Sequence, residues 1–364
     1  MNLGHILEDL EELVVCESFS ADHEAVARSA KVVADQGFRR LGVRPETIVI
    51  DGVTHLRWSF GTPRVLILGH HDTVWPVGTL ASIPWSLVDG IARGPGVLDM
   101  KAGLVQTFHA LTALPSLDGV CVLVTGDEEV GSPSSRTLIE ETARECAAAF
   151  VLEASGDGGA LKTARKGTSN YELTVYGKAA HAGTEPEKGA NAGVELAHQI
   201  LTLNALSQGT TTVTPTVLSG GVTSNTVPAL ATVRVDVRTT SIAEQSRVDK
   251  LVRGVTPRIP GTRLKVSGGP NRPPLEESST MDLFELACRI AKDLDMEPLR
   301  AVSVGGGSDG NFSAGVGCPT LDGLGALGGG AHAPHEHVIV SEMPIRTELL
   351  TQLVAAVLAG EDGR

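Results

Sequence analysis

Three short runs of apolar residues constrain the fold of this chain more than any other feature of its sequence. They span residues 64–69, 120–125 and 148–152, and helical patterns follow the first two at about 102–114 and 134–147. Strands that are apolar on both faces and alternate with helices are typical of a mostly parallel sheet covered on both sides. The sequence therefore predicts an α/β fold.

Two helical patterns precede the first run, at residues 3–15 and about 21–41. Ser20 is the predicted N-cap of the second helix, and Gly42 lies just past its end. The first helix mixes acidic residues with an i, i+3, i+4 apolar stripe and has no basic region, so we expect no signal peptide. No apolar run approaches the ~20 residues that span a bilayer, so we expect no membrane partner.

The pattern changes after Lys166, where polar and apolar residues begin to alternate strictly. Residues 170–176 and 231–238 alternate in this way, which indicates strands with one face toward solvent. Helical patterns at about 190–206 and 243–254 accompany these strands. The sequence therefore predicts a second, α+β unit.

The turn-rich segment of residues 268–274 is predicted to be a linker that ends this second unit. Helical periodicity returns after it, and the end of the chain is expected to rejoin the first domain. We therefore predict that residues 166–274 form a domain inserted between residues 1–165 and 275–364. Two domains also suit a chain of 364 residues, which exceeds the size at which one core stops growing.

The net charge indicates which classes of partner the protein can bind, and the cysteine content indicates the redox state of its compartment. The net charge of −13 argues against binding to nucleic acid or to an anionic membrane. The five cysteines are an odd number, are widely spaced and include no C-x-x-C pair, which is typical of a reducing compartment. We expect a soluble, cytoplasmic protein.

Histidine and acidic residues follow each apolar run at the point where the strand should end. In chain order they are His70, His71, Asp72, Asp127, Glu128, Glu129 and Glu153, and Asp99 lies just before the helical pattern at 102–114. Ligands bind at the carboxyl ends of strands in an open parallel sheet. Acids this dense need a cation to offset their repulsion, and imidazole with carboxylate is the donor set of catalytic zinc when thiolates are absent. The sequence therefore predicts a metal site.

Spacing suggests how some of these residues divide the work. His70 and Asp72 are two apart, so on an extended segment they project to the same side, and Asp72 can hold the second ring N–H of a metal-bound His70. His71 projects to the other side, although it stays an alternative ligand. Of the pair Glu128 and Glu129, one would bind the metal and the other would act as general base on water.

Six strings then make a specific resemblance. G-H-H-D-T-V-W-P, G-P-G-V-L-D-M-K-A-G, T-G-D-E-E-V-G-S, F-V-L-E-A, A-A-H-A-G and G-G-A-H-A-P-H-E occur in this order. Together they resemble the zinc-dependent exopeptidase and deacylase family that includes glutamate carboxypeptidase, aminoacylase, acetylornithine deacetylase and succinyl-diaminopimelate desuccinylase. The resemblance covers nearly the whole chain and implies a catalytic di-zinc domain with an inserted lid and dimerisation domain.

The resemblance implies a role for each residue of the metal site. It implies two zinc ions, for which cobalt or manganese can substitute. The ligands that it implies are His70 and Glu153 on the first zinc, Asp99 bridging both, and Glu129 and His332 on the second zinc. Glu128 resembles the general base and Asp72 the carboxylate that orients His70. A cis peptide bond after Asp99 is implied as well.

The resemblance also assigns residues of the inserted domain and of one loop. His181 resembles a histidine that stabilises the tetrahedral oxyanion and is often donated across a dimer. Asn225 and Arg238 resemble groups that grip the carboxylate end of the substrate, which suits the planar fork of arginine. A salt bridge within the lid is the alternative for Arg238. Gly307, in the turn of residues 305–310, resembles part of the pocket wall.

The expected function is therefore a di-zinc metallohydrolase that cleaves an amide bond adjacent to a free carboxylate. Carboxypeptidases and N-acyl-amino-acid amidohydrolases do this, and the expected substrate is an N-acyl amino acid or a short peptide. A dipeptidase or a small-molecule deacylase or desuccinylase of the same family is the alternative, and a non-catalytic metal- or peptide-binding relative is the alternative of another class. The resemblance implies a homodimer formed through the lid. The roles of His71, His335 and His337 stay open.

Overall fold

The computed structural model describes residues 2–360. Over these residues the α-helices are α1 (Leu3–Val15), α2 (His23–Leu41), α3 (Ala102–Leu111), α4 (Arg136–Arg144), α5 (Ala192–Asn204), α6 (Ile242–Arg253), α7 (Met281–Asp293), α8 (Gly310–Gly315) and α9 (Met343–Leu358). The strands are β1 (Glu46–Ile50), β2 (Val53–Ser59), β3 (Val65–His70), β4 (Ser86–Val88), β5 (Ile91–Arg93), β6 (Val120–Thr125), β7 (Ala148–Val151), β8 (Leu161–Arg165), β9 (Gly167–Tyr176), β10 (Thr212–Gly220), β11 (Leu230–Thr239), β12 (Arg263–Arg272), β13 (Ala301–Val304), β14 (Thr320–Leu321), β15 (Gly328–Gly329) and β16 (His337–Ile339).

The described chain divides into two compact units. The first comprises the residues up to Ala164, Glu276–Val304 and the residues from Ser308 onward, and the second comprises Arg165–Leu275 with Gly305–Gly307. Within the second unit, Nη1 of Arg165 donates to the carbonyl oxygens of Gly306 at 3.1 Å and Gly307 at 3.4 Å.

The first unit is built on a mixed sheet with the strand order β1-β2-β6-β3-β7-β14. The pairs β6–β3, β3–β7 and β7–β14 are parallel, whereas the pairs β1–β2 and β2–β6 are antiparallel. Every residue of β3, β6 and β7 is buried, which explains why their sequences are apolar up to the polar residues His70 and Thr125 at the ends of β3 and β6. The predicted α/β class with a mostly parallel sheet is confirmed.

The second unit contains an antiparallel sheet with the order β10-β11-β9-β12. Val233, Val235 and Val237 of β11 are buried in a core with residues of α5 and α6, while the residues between them are more exposed. This one-sided burial is what the alternation of polar and apolar residues predicts.

The segment of residues 268–274 was predicted to be a linker, and this prediction is wrong, because most of it lies in strand β12. Gly268 pairs with Tyr171 of β9, and a Cβ on Gly268 would lie 2.1 Å from the carbonyl oxygen of Asn170. Glycine is therefore required by the close approach of two strands. Pro270 is tolerated because β12 is an edge strand, where a ladder can lack one N–H.

Ser20 is not the N-cap of α2. Asp22 takes that position, and its carboxylate accepts a hydrogen bond from the backbone N–H of Ala25 at 2.9 Å. The hydroxyl of Ser20 instead donates to Oδ2 of Asp72 at 2.7 Å, so a buried acid competes for it. Gly42 lies just past the end of α2, as predicted, and it adopts the left-handed conformation.

None of the helices that the structure describes between residues 2 and 360 combines the length and apolar character needed to cross a bilayer.

Candidate metal centre

The ends of three parallel strands bring the predicted site residues of the first unit together. His70 is the last residue of β3 and lies opposite Thr125, the last residue of β6. Glu128 follows β6 in a single turn of 3-10 helix, and Glu153 follows β7 by two residues. The parallel pairing therefore places these side chains at one edge of the sheet.

His70 lies at the centre of a first cluster. Its Nε2 atom is 3.3 Å from Oδ1 of Asp99 and 3.6 Å from Oε1 of Glu153. Ligand atoms of His70, Glu128 and Glu153 also lie within 4.8 Å of one another. All of these side chains are buried or nearly so, which leaves a small group of nitrogen and oxygen donors away from bulk water.

His332 forms a second cluster around the other oxygen of Asp99. Its Nε2 atom is 3.2 Å from Oδ2 of Asp99 and 3.2 Å from Oε2 of Glu129. The backbone of His332 has a φ of 62°, a left-handed conformation that residues other than glycine rarely adopt and that is concentrated at functional sites. Asp99 thus faces a different histidine with each of its carboxylate oxygens.

The electrostatics of the two clusters favour a positive charge. Hydrogen bonds with Asp99 and Glu129 raise the pKa of His332 to about 10. Burial lowers the pKa of His70, but the carboxylates of Asp72, Asp99 and Glu153 outweigh it and hold that pKa well above its usual value. Burial raises the pKa of Glu129 in spite of the neighbouring imidazole. The acids outnumber the imidazoles, so a cation would relieve their repulsion.

The second nitrogen of His70 is held mainly by backbone. Its Nδ1 atom lies 3.0 Å from the carbonyl oxygen of Asp72 and 3.5 Å from Oδ1 of the same residue. The Asp72 carboxylate instead accepts the backbone N–H groups of Glu128 and Glu129, each at 3.2 Å. Asp72 therefore orients two neighbouring site residues as well as the loop of His70.

His71 does not join either cluster. Its ring is buried, and its Nε2 atom lies 3.0 Å from the carbonyl oxygen of Thr54. Burial lowers the pKa of His71 to about 4. The alternation of side chains along an extended segment, which favoured His70 as the ligand, agrees with this orientation.

A polar network supports the loop that carries Glu128 and Glu129. Oδ2 of Asp127 accepts the hydroxyl of Ser134 at 2.6 Å, and Asp127 also accepts the backbone N–H of Ser134 and of Ser135. Nε2 of His55 lies 3.0 Å from the same Ser134 hydroxyl, and Asp309 accepts the hydroxyls of Thr125 and Ser132. The sequence pattern places Asp127 among the acids that follow β6 but does not point to Asp309.

The loop that carries Asp99 is fixed by a residue that the sequence did not single out. The peptide bond between Asp99 and Met100 is cis, as the resemblance implied. Glu336 is buried, and Oε1 of its carboxylate accepts the backbone N–H of Leu98 at 2.9 Å and of Asp99 at 3.0 Å. Its position at the end of the last matching string was the one available signal.

The remaining predicted site residues lie in the second unit. His181 is exposed, and its Nδ1 atom accepts the backbone N–H groups of Gly183 and Thr184, each at 3.1 Å. Because Nδ1 is an acceptor here, the proton of a neutral ring resides on Nε2. The carbonyl oxygen of Asn225 accepts the N–H of Ala182 at 2.9 Å, so the two predicted segments are neighbours.

Arg238 is engaged within its own strand. Its Nε and Nη2 atoms donate to the two carboxylate oxygens of Asp236, each at 2.9 Å. This is the lid salt bridge that the sequence left as an alternative. Gly307 lies beside Arg165, whose Nη1 donates to its carbonyl oxygen. His335 is exposed and His337 is half-buried, and both lie outside the two clusters. Nδ1 of His337 lies 3.0 Å from the carbonyl oxygen of His335.

Comparisons with known proteins identify the family of this chain. The family model of peptidase family M20/M25/M40 matches residues 66–356. The chain is 29% identical to carboxypeptidase G2 of Pseudomonas sp. strain RS-16 over 98% of this chain and 90% of the relative. It is 26% identical to a succinyl-diaminopimelate desuccinylase of Phenylobacterium zucineum strain HLK1 over 84% of this chain and 85% of the relative.

A solved structure gives the same result for the fold. The M20 family metallo-carboxypeptidase Sso-CP2 from Sulfolobus solfataricus superimposes with a TM-score of 0.76 at 18% identity, covering 98% of this chain and 99% of that one. The family model alone spans well over half of the chain. The chain therefore belongs to peptidase family M20/M25/M40 and is a metal-dependent hydrolytic enzyme.

Proposed function

We propose that this enzyme uses two zinc ions to cleave an amide bond adjacent to a free carboxylate. The observation that carries the proposal is the position of Asp99, whose Oδ1 lies 3.3 Å from His70 and whose Oδ2 lies 3.2 Å from His332. Each histidine also faces a second carboxylate, Glu153 or Glu129. One acid shared between two imidazole–carboxylate pairs is the donor arrangement that a bridged pair of ions requires.

The donor chemistry supports zinc as the native metal. Imidazole nitrogen and carboxylate oxygen suit zinc, although cobalt or manganese can occupy such a site. We assign His70 and Glu153 to one ion, His332 and Glu129 to the other, and Asp99 to both. When bound, the ions would supply Lewis acidity, which polarises the scissile carbonyl and lowers the pKa of water.

Glu128 is proposed as the general base. Glu128 is 6% exposed, its backbone N–H is held by Asp72 at 3.2 Å, and its carboxylate lies within 4.8 Å of ligand atoms of His70 and Glu153. In this role it accepts a proton from the attacking water and later delivers a proton to the leaving amine.

We assign substrate contacts to four residues of the second unit, which are His181, Asn225, Arg238 and Gly307. The exposed ring of His181 carries its proton on Nε2 when neutral, as an oxyanion donor must. Arg238 uses Nε and Nη2 for Asp236, and we place the substrate carboxylate on the other edge of its fork, with Asn225 beside it.

The relatives support the choice of bond. One is named a carboxypeptidase and the other a desuccinylase, so a peptide or an N-acyl amino acid is the proposed substrate class. A panel of C-terminal glutamate conjugates, other N-acyl amino acids, N-succinyl amines and dipeptides, assayed with and without chelator, tests the proposal. Two bound zinc ions with no hydrolysis of any member, or hydrolysis that survives removal of the metal, would contradict it.

We further propose that the second unit forms a homodimer with a second copy of this chain. Strand β10 is an edge of its sheet, and Val217 and Leu218 on it are 56% and 59% exposed. Leu201 of α5 is 70% exposed. An open edge with exposed apolar side chains pairs readily with another chain.

The oligomeric state tests this second proposal. Light scattering coupled to gel filtration should give a dimer for the wild type and a monomer for the double variant Leu201→Glu, Leu218→Glu. Leu251→Glu on α6, where Leu251 is 42% exposed, is the matched control and should stay dimeric. A wild-type monomer at micromolar concentration would contradict the proposal.

A further inference from the structure

Glu336 is a buried carboxylate whose position links three loops of the first unit. Glu336 is only 1% exposed to solvent. Oε1 accepts the N–H groups of Leu98 and Asp99, at 2.9 and 3.0 Å. Oε2 accepts the N–H of Gly96 at 3.0 Å and the indole N–H of Trp75 at 2.9 Å. A single carboxylate thus receives four hydrogen bonds.

The donors and the acceptor come from the loops that carry the proposed metal ligands. Trp75 lies on the loop that follows His70, and three of the four donors lie on the loop that leads to Asp99. Glu336 itself is four residues beyond His332, and the N–H of Glu336 donates to the carbonyl oxygen of Ala333 in the intervening turn. The carboxylate therefore connects the segments of three proposed ligands.

Strand pairing explains why Glu336 reaches this loop. Strand β16 begins at His337, directly after Glu336, and pairs antiparallel with β5. His337 lies opposite Arg93, the last residue of β5, and the loop of residues 94–99 follows at once. The pairing thus places Glu336 opposite this loop, and the four hydrogen bonds hold its carboxylate in position.

Burying another carboxylate beside acidic side chains costs free energy unless hydrogen bonds stabilise its charge. Burial raises the pKa of Glu336, and the N–H groups of Asp99, Leu98, Trp75 and Gly96 oppose that effect. An uncharged acceptor could bond these N–H groups without adding charge to the cluster. A carboxylate differs in having acceptor sites on both oxygens, and it can therefore hold the Asp99 loop on one side and Trp75 on the other.

We propose that Glu336 is a positioning residue of the metal centre, which sets the separation between Asp99 and His332. This inference rests on the proposed two-metal function. Side chains that orient metal ligands commonly contribute about 10- to 100-fold to metal affinity. Because Asp99 and His332 share one proposed ion with Glu129, loss of Glu336 should weaken that ion more than the ion at His70 and Glu153.

The test is zinc binding to the full-length Glu336→Gln variant, measured by calorimetry and by metal analysis after dialysis against buffered zinc. Glutamine preserves the shape, but its NH₂ group turns a donor toward at least one pair of N–H groups. We expect one of two zinc ions to bind about 10- to 100-fold more weakly and the other to bind as in the wild type.

Glu195→Gln is the matched control. Glu195 is 0% exposed, and its carboxylate accepts the N–H of Arg258 at 2.8 Å and of Ile259 at 2.6 Å in the second unit. It undergoes the same chemical change at a buried acid bonded to backbone amides. A loss of stability alone would appear in both variants, whereas weakened binding of one ion should appear only in Glu336→Gln.

The outcomes separate this inference from the function on which it rests. A wild type that binds fewer than two ions would contradict the two-metal proposal itself. Two ions bound with wild-type affinity by Glu336→Gln would overturn the role of Glu336. If that variant does not fold, Trp75→Phe replaces it, since it removes one of the four donors, and unchanged binding of both ions would then overturn the inference.

Discussion

Replacing Glu128 with glutamine should abolish most hydrolysis and leave both metal ions bound. Glutamine keeps the volume of the side chain but cannot accept a proton at neutral pH. A general base contributes about 10²- to 10⁴-fold to a rate. Glu128 is 6% exposed and Asp72 holds its backbone N–H, so its position is well defined and we expect the upper part of that range. A 10³- to 10⁴-fold loss corresponds to about 4–5 kcal/mol of activation free energy.

The assay must separate a base from a ligand, because Glu128 lies within 4.8 Å of donor atoms of His70 and Glu153. We would measure kcat/KM on the best substrate of the panel and zinc content after dialysis. Glu129→Gln is the matched control, since the same change one residue later should release the ion shared with His332. The reasoning is refuted if Glu128→Gln loses an ion, or if it retains more than about a tenth of wild-type turnover.

Three further predictions concern other parts of the chain. His181→Ala should lower kcat by about 10²- to 10³-fold with zinc content unchanged, and full activity or lost zinc would count against its role. Asp9→Asn should lower the free energy of unfolding by about 2–3 kcal/mol near pH 7, because the Asp9 carboxylate bonds two arginines and a histidine and only one of these partners is well exposed. Burial raises the pKa of the Asp9 carboxyl, but its three partners outweigh burial and hold that pKa below its usual value. The stability that Asp9 contributes is therefore present above about pH 4 and is lost as the pH falls through the folded-state pKa. Urea titrations of the variant and the wild type should accordingly converge in acid. Gly268→Ala should lower the free energy of unfolding in urea by more than about 2 kcal/mol, because the new Cβ would meet the carbonyl oxygen of Asn170. Gly209→Ala is the control, since Gly209 also has a positive φ but has open space around it, and this change should lower the free energy of unfolding by only about 1–2 kcal/mol. Equal losses in the two variants would contradict the role of the contact with Asn170.

The parts of the fold that could be predicted are those whose pattern depends on their own burial. Strands β3, β6 and β7 are covered on both faces, so nearly all of their residues are apolar and each run can be recognised without knowing its neighbours. The helix α2 was recognisable for the same reason, from its periodicity and from Gly42 at its end.

Elements that depend on a partner were not predictable. Strand β12 contains Gly268, Gly269 and Pro270, which normally indicate a turn, and it forms only because β9 pairs along it. Strands β5 and β16 have three residues each, which is too short for a period to be read. Yet their pairing brings Glu336 beside the loop of Asp99, and the local sequence does not predict that contact.

Residue types identified the candidate ligands, but only the structure shows how their charges are balanced. Asp72 directs its carboxylate at a hydroxyl and two backbone N–H groups, and Glu336 directs its own at four N–H groups. Asp99 and Glu129 direct theirs at imidazole nitrogens. In a sequence all four are simply acids near strand ends. Their surroundings divide them into two that hold loops through N–H and O–H donors and two that face the same imidazole of His332, and the proposed cation would offset the charge of the second pair.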